Sequence, residues 1–212
     1  MDDPRHAFLE AASSAADLLG RSEVAEQWSE PSVLAQFTTA GLAGHLLRCL
    51  RTVEVYLEDP EPDGVATSAA GYYDSIGITD DISSPLNRDV RSRGEEEAAM
   101  GSDRVADEAR AVVERLADRL ATEAIGRRLR VRDGLIITLD EYLRTRIVEL
   151  VVHTEDVALS VNLPYRIEVA PAVATIVIDT LVDLARLRHG DWAVIRALAR
   201  RERDVVSALH VL

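Results

Sequence analysis

Tyr142, Arg146, Glu149, His153, Asp156 and Ser160 follow one another at steps of four and three in the segment LDEYLRTRIVELVVHTEDVALS, Leu139 to Ser160, so they form one stripe of a helix. Glu149 and His153 therefore project from the same face, one turn apart. Leu143, Ile147, Leu150, Val151, Val152 and Val157 flank the stripe on both sides and leave little room for a wide solvent face. A carboxylate and an imidazole embedded in an apolar helix have the character of half a metal site. A solvated stripe on a surface helix is the competing reading of the same residues.

The complementary half lies far upstream, in TTAGLAGHLLRCLRTVEVYLED. Thr38 or Thr39 is placed to cap a helix in which Leu42, Leu46, Cys49, Leu50, Val53 and Leu57 recur at helical spacing. His45 stands beside that apolar row. A lone histidine there also suits a satisfied boundary residue. Together, His45, Glu149 and His153 make a set of two imidazoles and one carboxylate with a coordination position left over. Zinc accepts such a set when it acts on a bound water, thiol or substrate, and non-haem iron and nickel tolerate it too.

These residues need a scaffold, and the rest of the chain reads as helices. Pro4 to Leu19 has a helical apolar pattern ending at Gly20. Ser22 to Phe37 reads as a connection with a turn of helix. The second helix, Thr39 to Glu58, stops before DPEPDG, a loop. Beyond it the pattern is broken: Tyr72 and Tyr73 fall on a short helix, and GITDDISSP reads as turn. Leu86 to Gly126 predicts a long helix, with Gly94 and Gly101 as candidate interruptions. RLRVRDGLIIT suggests a small β-hairpin turning at Asp133-Gly134. The helix of the stripe then runs to the Asn162, Leu163, Pro164 stop, and Pro171 suits the first turn of the next, Ala172 to Leu187. A short helix from Asp191 to about Ala199 and the tail VSALHVL complete the chain. The expectation is an all-α fold, a bundle of four main helices with minor additions, in one domain of 1–212 whose bundle spans about 4–188 and whose short extension covers 189–212.

Composition narrows the function. Of 212 residues, 47% are hydrophobic and 29% charged, as in ordinary globular proteins. A net charge of −13 argues against nucleic acid, which demands a basic stripe. The nearest basic cluster, Arg127, Arg128, Arg130 and Arg132, lacks interleaved aromatic residues. No long apolar run predicts a membrane span and no leader pattern predicts secretion, so the cytosol is the expected compartment. A single cysteine, Cys49, excludes an internal disulfide and suits a reducing environment; apolar neighbours make it a buried structural thiol more readily than a ligand. All 24 basic residues are arginine, which suggests a GC-rich coding genome. No internal repeat or low-complexity linker is present. His6, His189 and His210 fall near helix ends or turns and need no functional reading.

The upstream histidine and the R-x-x-E-x-x-x-H-x-x-D pattern of Arg146, Glu149, His153 and Asp156 resemble the mycothiol-dependent maleylpyruvate isomerase metal-binding domain family, a branch of the DinB-like four-helix bundles. The resemblance covers roughly Pro4 to Arg188. It implies a divalent ion, zinc first, held by His45, Glu149 and His153, with mycothiol, a small thiol of GC-rich actinobacteria, as cosubstrate. The isomerase itself carries a second domain after the bundle, so the resemblance bears on the metal site more than on the substrate. In physical terms, a divalent ion on two neutral imidazoles and one carboxylate keeps positive charge and makes a nearby thiol a nucleophile toward an electrophilic small molecule. Arg146 is placed to orient Glu149 or to pair with a substrate anion. Asp156 is placed to accept the free ring N–H of His153. An intrahelical ion network with no catalytic part is the alternative for both. Two further readings stand beside the thiol transferase or isomerase: a non-catalytic, regulatory metal-binding bundle whose fourth position is closed by Cys49 or Asp156, and a metal-free scaffold. A homodimer is compatible with all three.

Overall fold

The computed structural model describes residues 3–77, 81–163, 169–199, 209 and 211. In chain order the elements are α1 (Pro4–Leu19), α2 (Ser22–Glu26), α3 (Thr39–Glu58), α4 (Ala69–Ser75), α5 (Pro85–Ala98), α6 (Ser102–Thr122), β1 (Arg128–Arg130), β2 (Ile136–Thr138), α7 (Leu139–Ser160), α8 (Pro171–His189) and α9 (Asp191–Ala199). Local chemistry sets most boundaries. Asp3, Thr38, Ser84 and Thr138 each accept a hydrogen bond from a backbone N–H of the first turn that follows, and proline opens α1, α5 and α8 where its missing N–H leaves no bond unmade. At its far end α7 closes with Asn162 in the left-handed region (φ 56°) and a bond from Leu163 N–H to the Ala158 carbonyl, 3.0 Å, the pattern that satisfies the last carbonyls of a helix. Pro164, His210 and most of the VSALHVL tail lie outside the described residues.

Four helices make the bundle: α1 packs between α6 and α7, and α3 closes the square against the same two. The fold is an all-α, DinB-like bundle with one two-stranded hairpin. One continuous cluster fills it, from Phe8 on α1 through Leu42, Leu46 and Leu50 on α3 and Leu116 and Leu120 on α6 to Leu143, Ile147 and Leu150 on α7. On α6 the apolar spacing puts Val105, Ala109, Val112, Leu116 and Leu120 on that side, all buried. Each large side chain of the row contributes roughly 1.5–3 kcal/mol by leaving water. Leu116→Ala is the single change that would most directly open this row, at about 2–5 kcal/mol.

The expected long helix over Leu86 to Gly126 is two helices. Gly101, at φ 91°, breaks it, because only glycine holds that conformation without strain. Gly94 does not interrupt α5; it is buried where α5 crosses α3. A Cβ at Gly94 would lie 2.4 Å from the Gly41 carbonyl oxygen, and one at Gly44 would lie 2.0 Å from the Gly94 carbonyl oxygen. Bare backbone on both helices is what allows this approach, and it lays α5 along α3 next to His45.

The hairpin sets the start of α7. Arg128 pairs with Thr138, Leu129 with Ile137 and Arg130 with Ile136, around a 3₁₀ turn at Arg132–Gly134 in which Asp133 takes φ 57° and Gly134 φ 77°. Thr67 N–H donates to the Ile136 carbonyl at 2.8 Å and so draws the segment before α4 against the same strand. This attachment brings α4, with Tyr72 and Tyr73, onto α7. Among the described residues no helix is long and apolar enough to cross a membrane.

Candidate metal centre

Two bundle helices bring the chemistry together. His45 comes from α3 and Glu149 and His153 from α7, and their nearest ligand atoms all lie within 4.8 Å of one another. Glu149 Oε2 stands 3.2 Å from His45 Nε2 and 3.5 Å from His153 Nε2. The two imidazoles meet edge to face with centroids 4.9 Å apart. All three side chains are largely buried, their relative exposures lying between 11% and 21%, so a solvated surface stripe does not describe them.

The surrounding groups orient the set. Asp156 Oδ2 lies 2.9 Å from His153 Nδ1, which places a proton on Nδ1 and leaves Nε2, facing Glu149, to donate to that carboxylate when protonated or to offer its lone pair to a metal when not. Tyr73 O–H donates to Glu149 Oε1 at 3.0 Å and to the Thr145 carbonyl at 2.9 Å, so one carboxylate oxygen is occupied and the other is turned to the histidines. Such a set presents lone pairs to one point, and in a buried place that arrangement requires a cation or shared protons between them. The donors fit zinc or another borderline divalent ion. His45 departs from the pattern: its Nδ1 is buried with no partner, so among the described residues nothing holds that nitrogen as Asp156 holds Nδ1 of His153.

Electrostatics agree with a site that wants positive charge. Burial alone would raise the Glu149 carboxyl, but hydrogen bonds from His153 and His45 and the charge of Arg146 outweigh it and hold Glu149 well below the usual carboxylate range. For His45, burial opposes the imidazolium, yet Cys49 and Glu149 prevail and the metal-free side chain is raised to about 10. His153 is raised as well, its burial outweighed by Asp156 and Glu149. The Cys49 thiol, which burial would raise, is lowered by His45 and Arg146.

Cys49 and Asp156 do not complete a four-ligand shell. Asp156 is taken up by His153 Nδ1, and Cys49 Sγ, 3.8 Å from His45 Nε2, stands outside the cluster in which every ligand atom lies within 4.8 Å of the others. On the open side lies a cavity of about 520 Å³ whose wall includes His45, Glu149, His153, Cys49 and Arg146. Helix α5 covers it with Leu86, Val90 and Arg93, and Leu34, Phe37, Tyr56 and Tyr72 complete much of the apolar wall. Of the expected stripe, Tyr142 is buried and bonded to Thr52 Oγ1 at 3.0 Å, and Ser160 holds the connection before α3 by accepting from Val33 N–H at 3.0 Å. Arg146 lies in the cavity floor and makes no ion pair with Glu149 among the described residues, so the pairing along the stripe runs from Glu149 through His153 to Asp156 without it. Tyr73 is the contributor that helical periodicity did not reveal. It lies 76 residues before Glu149, and no spacing rule separates it from its neighbour Tyr72.

Fold and geometry thus define a helical bundle with a two-histidine, one-carboxylate cluster beside an interior cavity. A profile of the mycothiol maleylpyruvate isomerase N-terminal domain family matches residues 8–158, and the chain belongs to that family. No curated protein and no solved structure matches the chain.

Proposed function

We propose that this chain is a metal-dependent thiol transferase or isomerase, using mycothiol or a similar small thiol and an electrophilic small molecule. The observation that carries the reading is the convergence of His45, Glu149 and His153 on the wall of the 520 Å³ cavity. The family's link to mycothiol supplies the class of thiol. Those three side chains would hold zinc or another divalent ion, which when bound supplies the positive charge that lowers the proton affinity of a thiol beside it. Asp156 keeps the proton on His153 Nδ1, and Tyr73 keeps Glu149 turned to the histidines. The apolar cavity wall excludes water that would solvate and blunt a thiolate. In the addition, the thiol surrenders its proton to solvent at the cavity mouth, from which the adduct later takes one back; its sulfur forms a C–S bond to an electrophilic alkene carbon, and the π pair moves toward the substrate's carbonyl oxygen. Transfer ends with protonation of that adduct. Isomerisation ends when the C–S bond breaks after rotation about the former double bond and the thiol is returned. The chain is taken as a single domain, and its free, buried Cys49 suits a reducing cytosol.

Elemental mass spectrometry of purified protein after mild chelation and repletion with zinc tests the reading. One equivalent of metal in the wild type, lost in His45→Ala, Glu149→Ala and His153→Ala, is the expected outcome. A repleted wild type without metal would overturn it.

A further inference from the structure

Positive charge around the cavity is unevenly answered. At the rim, Arg93 and Arg132 both engage Asp89, the latter at 3.0 Å, and Arg48 faces Glu97 at 3.7 Å. Arg146, in the floor, is different. It is 9% exposed, lies over the Tyr142 ring at 4.9 Å, donates from Nε to Thr145 Oγ1 at 3.1 Å and has Nη1 4.0 Å from Cys49 Sγ. Among the described residues no carboxylate forms an ion pair with it. A guanidinium carries five N–H donors in a planar fork matched to a carboxylate. Glu149 acts on Arg146 through space but forms no ion pair with it, so the planar fork has no carboxylate partner and gains most when an anion arrives.

We propose that Arg146 is the receptor for the single carboxylate of an otherwise apolar substrate. The walls that such a substrate would meet are apolar and aromatic: Leu34, Phe37, Tyr56, Tyr72, Leu86 and Val90. Beyond the histidine cluster itself, a second carboxylate would meet rim guanidiniums that Asp89 and Glu97 already engage. The cavity therefore selects a monoanion with a flat, apolar body over a compact dianion. Position agrees with chemistry: Cys49 Sγ touches Arg146 on one side and stands 3.8 Å from His45 Nε2 on the other, so an acid gripped by Arg146 places its adjacent carbons beside the histidine pair. This inference rests on the reading of the cavity as the substrate chamber, but the binding it describes needs no metal.

Calorimetric titration of chelated and zinc-loaded protein with trans-cinnamate, its neutral amide and fumarate tests the assignment. Cinnamate is expected to bind both forms, with the amide and fumarate each weaker by at least about tenfold, the usual consequence of losing a charge-assisted pair or of burying an uncompensated carboxylate. Arg146→Gln should lose the preference for acid over amide while keeping its helical circular dichroism and one equivalent of zinc. Arg146→Lys should retain part of it, having charge without the fork. Failure of cinnamate to bind, fumarate equal to cinnamate, or wild-type affinity in a folded Arg146→Gln would each overturn the assignment. So would binding that needs zinc and ignores Arg146, since the carboxylate would then be a metal ligand. Should Arg146→Gln not fold, equal affinity of wild type for acid and amide overturns it. Absence of zinc uptake defeats the metal reading alone, and the preference for acid over amide remains measurable.

Discussion

Loading the site with zinc should expel protons, and their number follows from the geometry around Glu149. An imidazole at its ordinary value of 6.5 is about one quarter protonated at pH 7, so two unperturbed histidines would release roughly 0.5 proton on binding a metal. Here His45 is raised to about 10 and carries essentially a full proton at pH 7, while His153, also raised, carries more than its unperturbed quarter. The expected release is therefore between about 1.2 and 2 protons per zinc. Calorimetric titration of metal-free protein with zinc at pH 7, repeated in weakly coordinating buffers of different ionisation enthalpy, gives this number as a slope. The apparent affinity should also climb by about tenfold per pH unit for each proton displaced, from pH 6 to well above 8. Stability of the metal-free protein should move in the opposite direction. Raised histidines contribute fully below 6.5 and lose that contribution as pH rises toward 10, whereas the depressed Glu149 contributes above about 4.5 and fails in acid. The metal-free optimum thus falls on the acid side of neutrality. A slope of 0.5 or less would refute the reasoning, since the imidazoles would then not be held protonated against Glu149.

Asp156→Asn should retain one equivalent of zinc but bind it about 10–100-fold more weakly, as the carboxylate that orients His153 is lost; competition with a chromophoric chelator measures this. Tyr73→Phe removes the donor to Glu149 Oε1 and the Thr145 carbonyl and should destabilise the protein by about 1–3 kcal/mol in urea unfolding. Gly44→Ala would ordinarily stabilise a helix by about 1 kcal/mol. Here the added methyl meets the Gly94 backbone at 2.0 Å, so the sign reverses and a lower unfolding midpoint, about 1–3 kcal/mol in cost, is expected.

Helical periodicity alone was enough to place Glu149, His153 and Asp156 on one face, because residues three and four apart share a face whatever the tertiary context. A cap at Thr38 or Thr39 and a proline at Pro171 marked two helix starts for the same local reason, whereas the Thr138 cap of the stripe helix came from the structure. What periodicity does not carry is the partner across the bundle. Cys49 read as a structural thiol because its neighbours are apolar, yet burial places it against His45 and Arg146. Gly94 read as a weak point in a helix, since glycine lowers helix propensity, although its role is to let two backbones meet. Arg146 read as an orienter of Glu149, a partner for a substrate anion or a member of an ion network, and spacing could not choose among them. The packed structure shows that it forms no ion pair with Glu149 among the described residues and lines the cavity.

Cys49 has a practical consequence for every assay of this protein. It is the chain's one cysteine, and its sulfur lines the cavity floor between His45 and Arg146. Reagents that count thiols will register at most one equivalent from the protein itself, so consumption of a small thiol becomes evidence of turnover only beyond that equivalent. The same sulfur is fully buried, so a small alkylating reagent reaches it only when the packing around the cavity floor opens, and a ligand seated over Arg146 should slow that reaction.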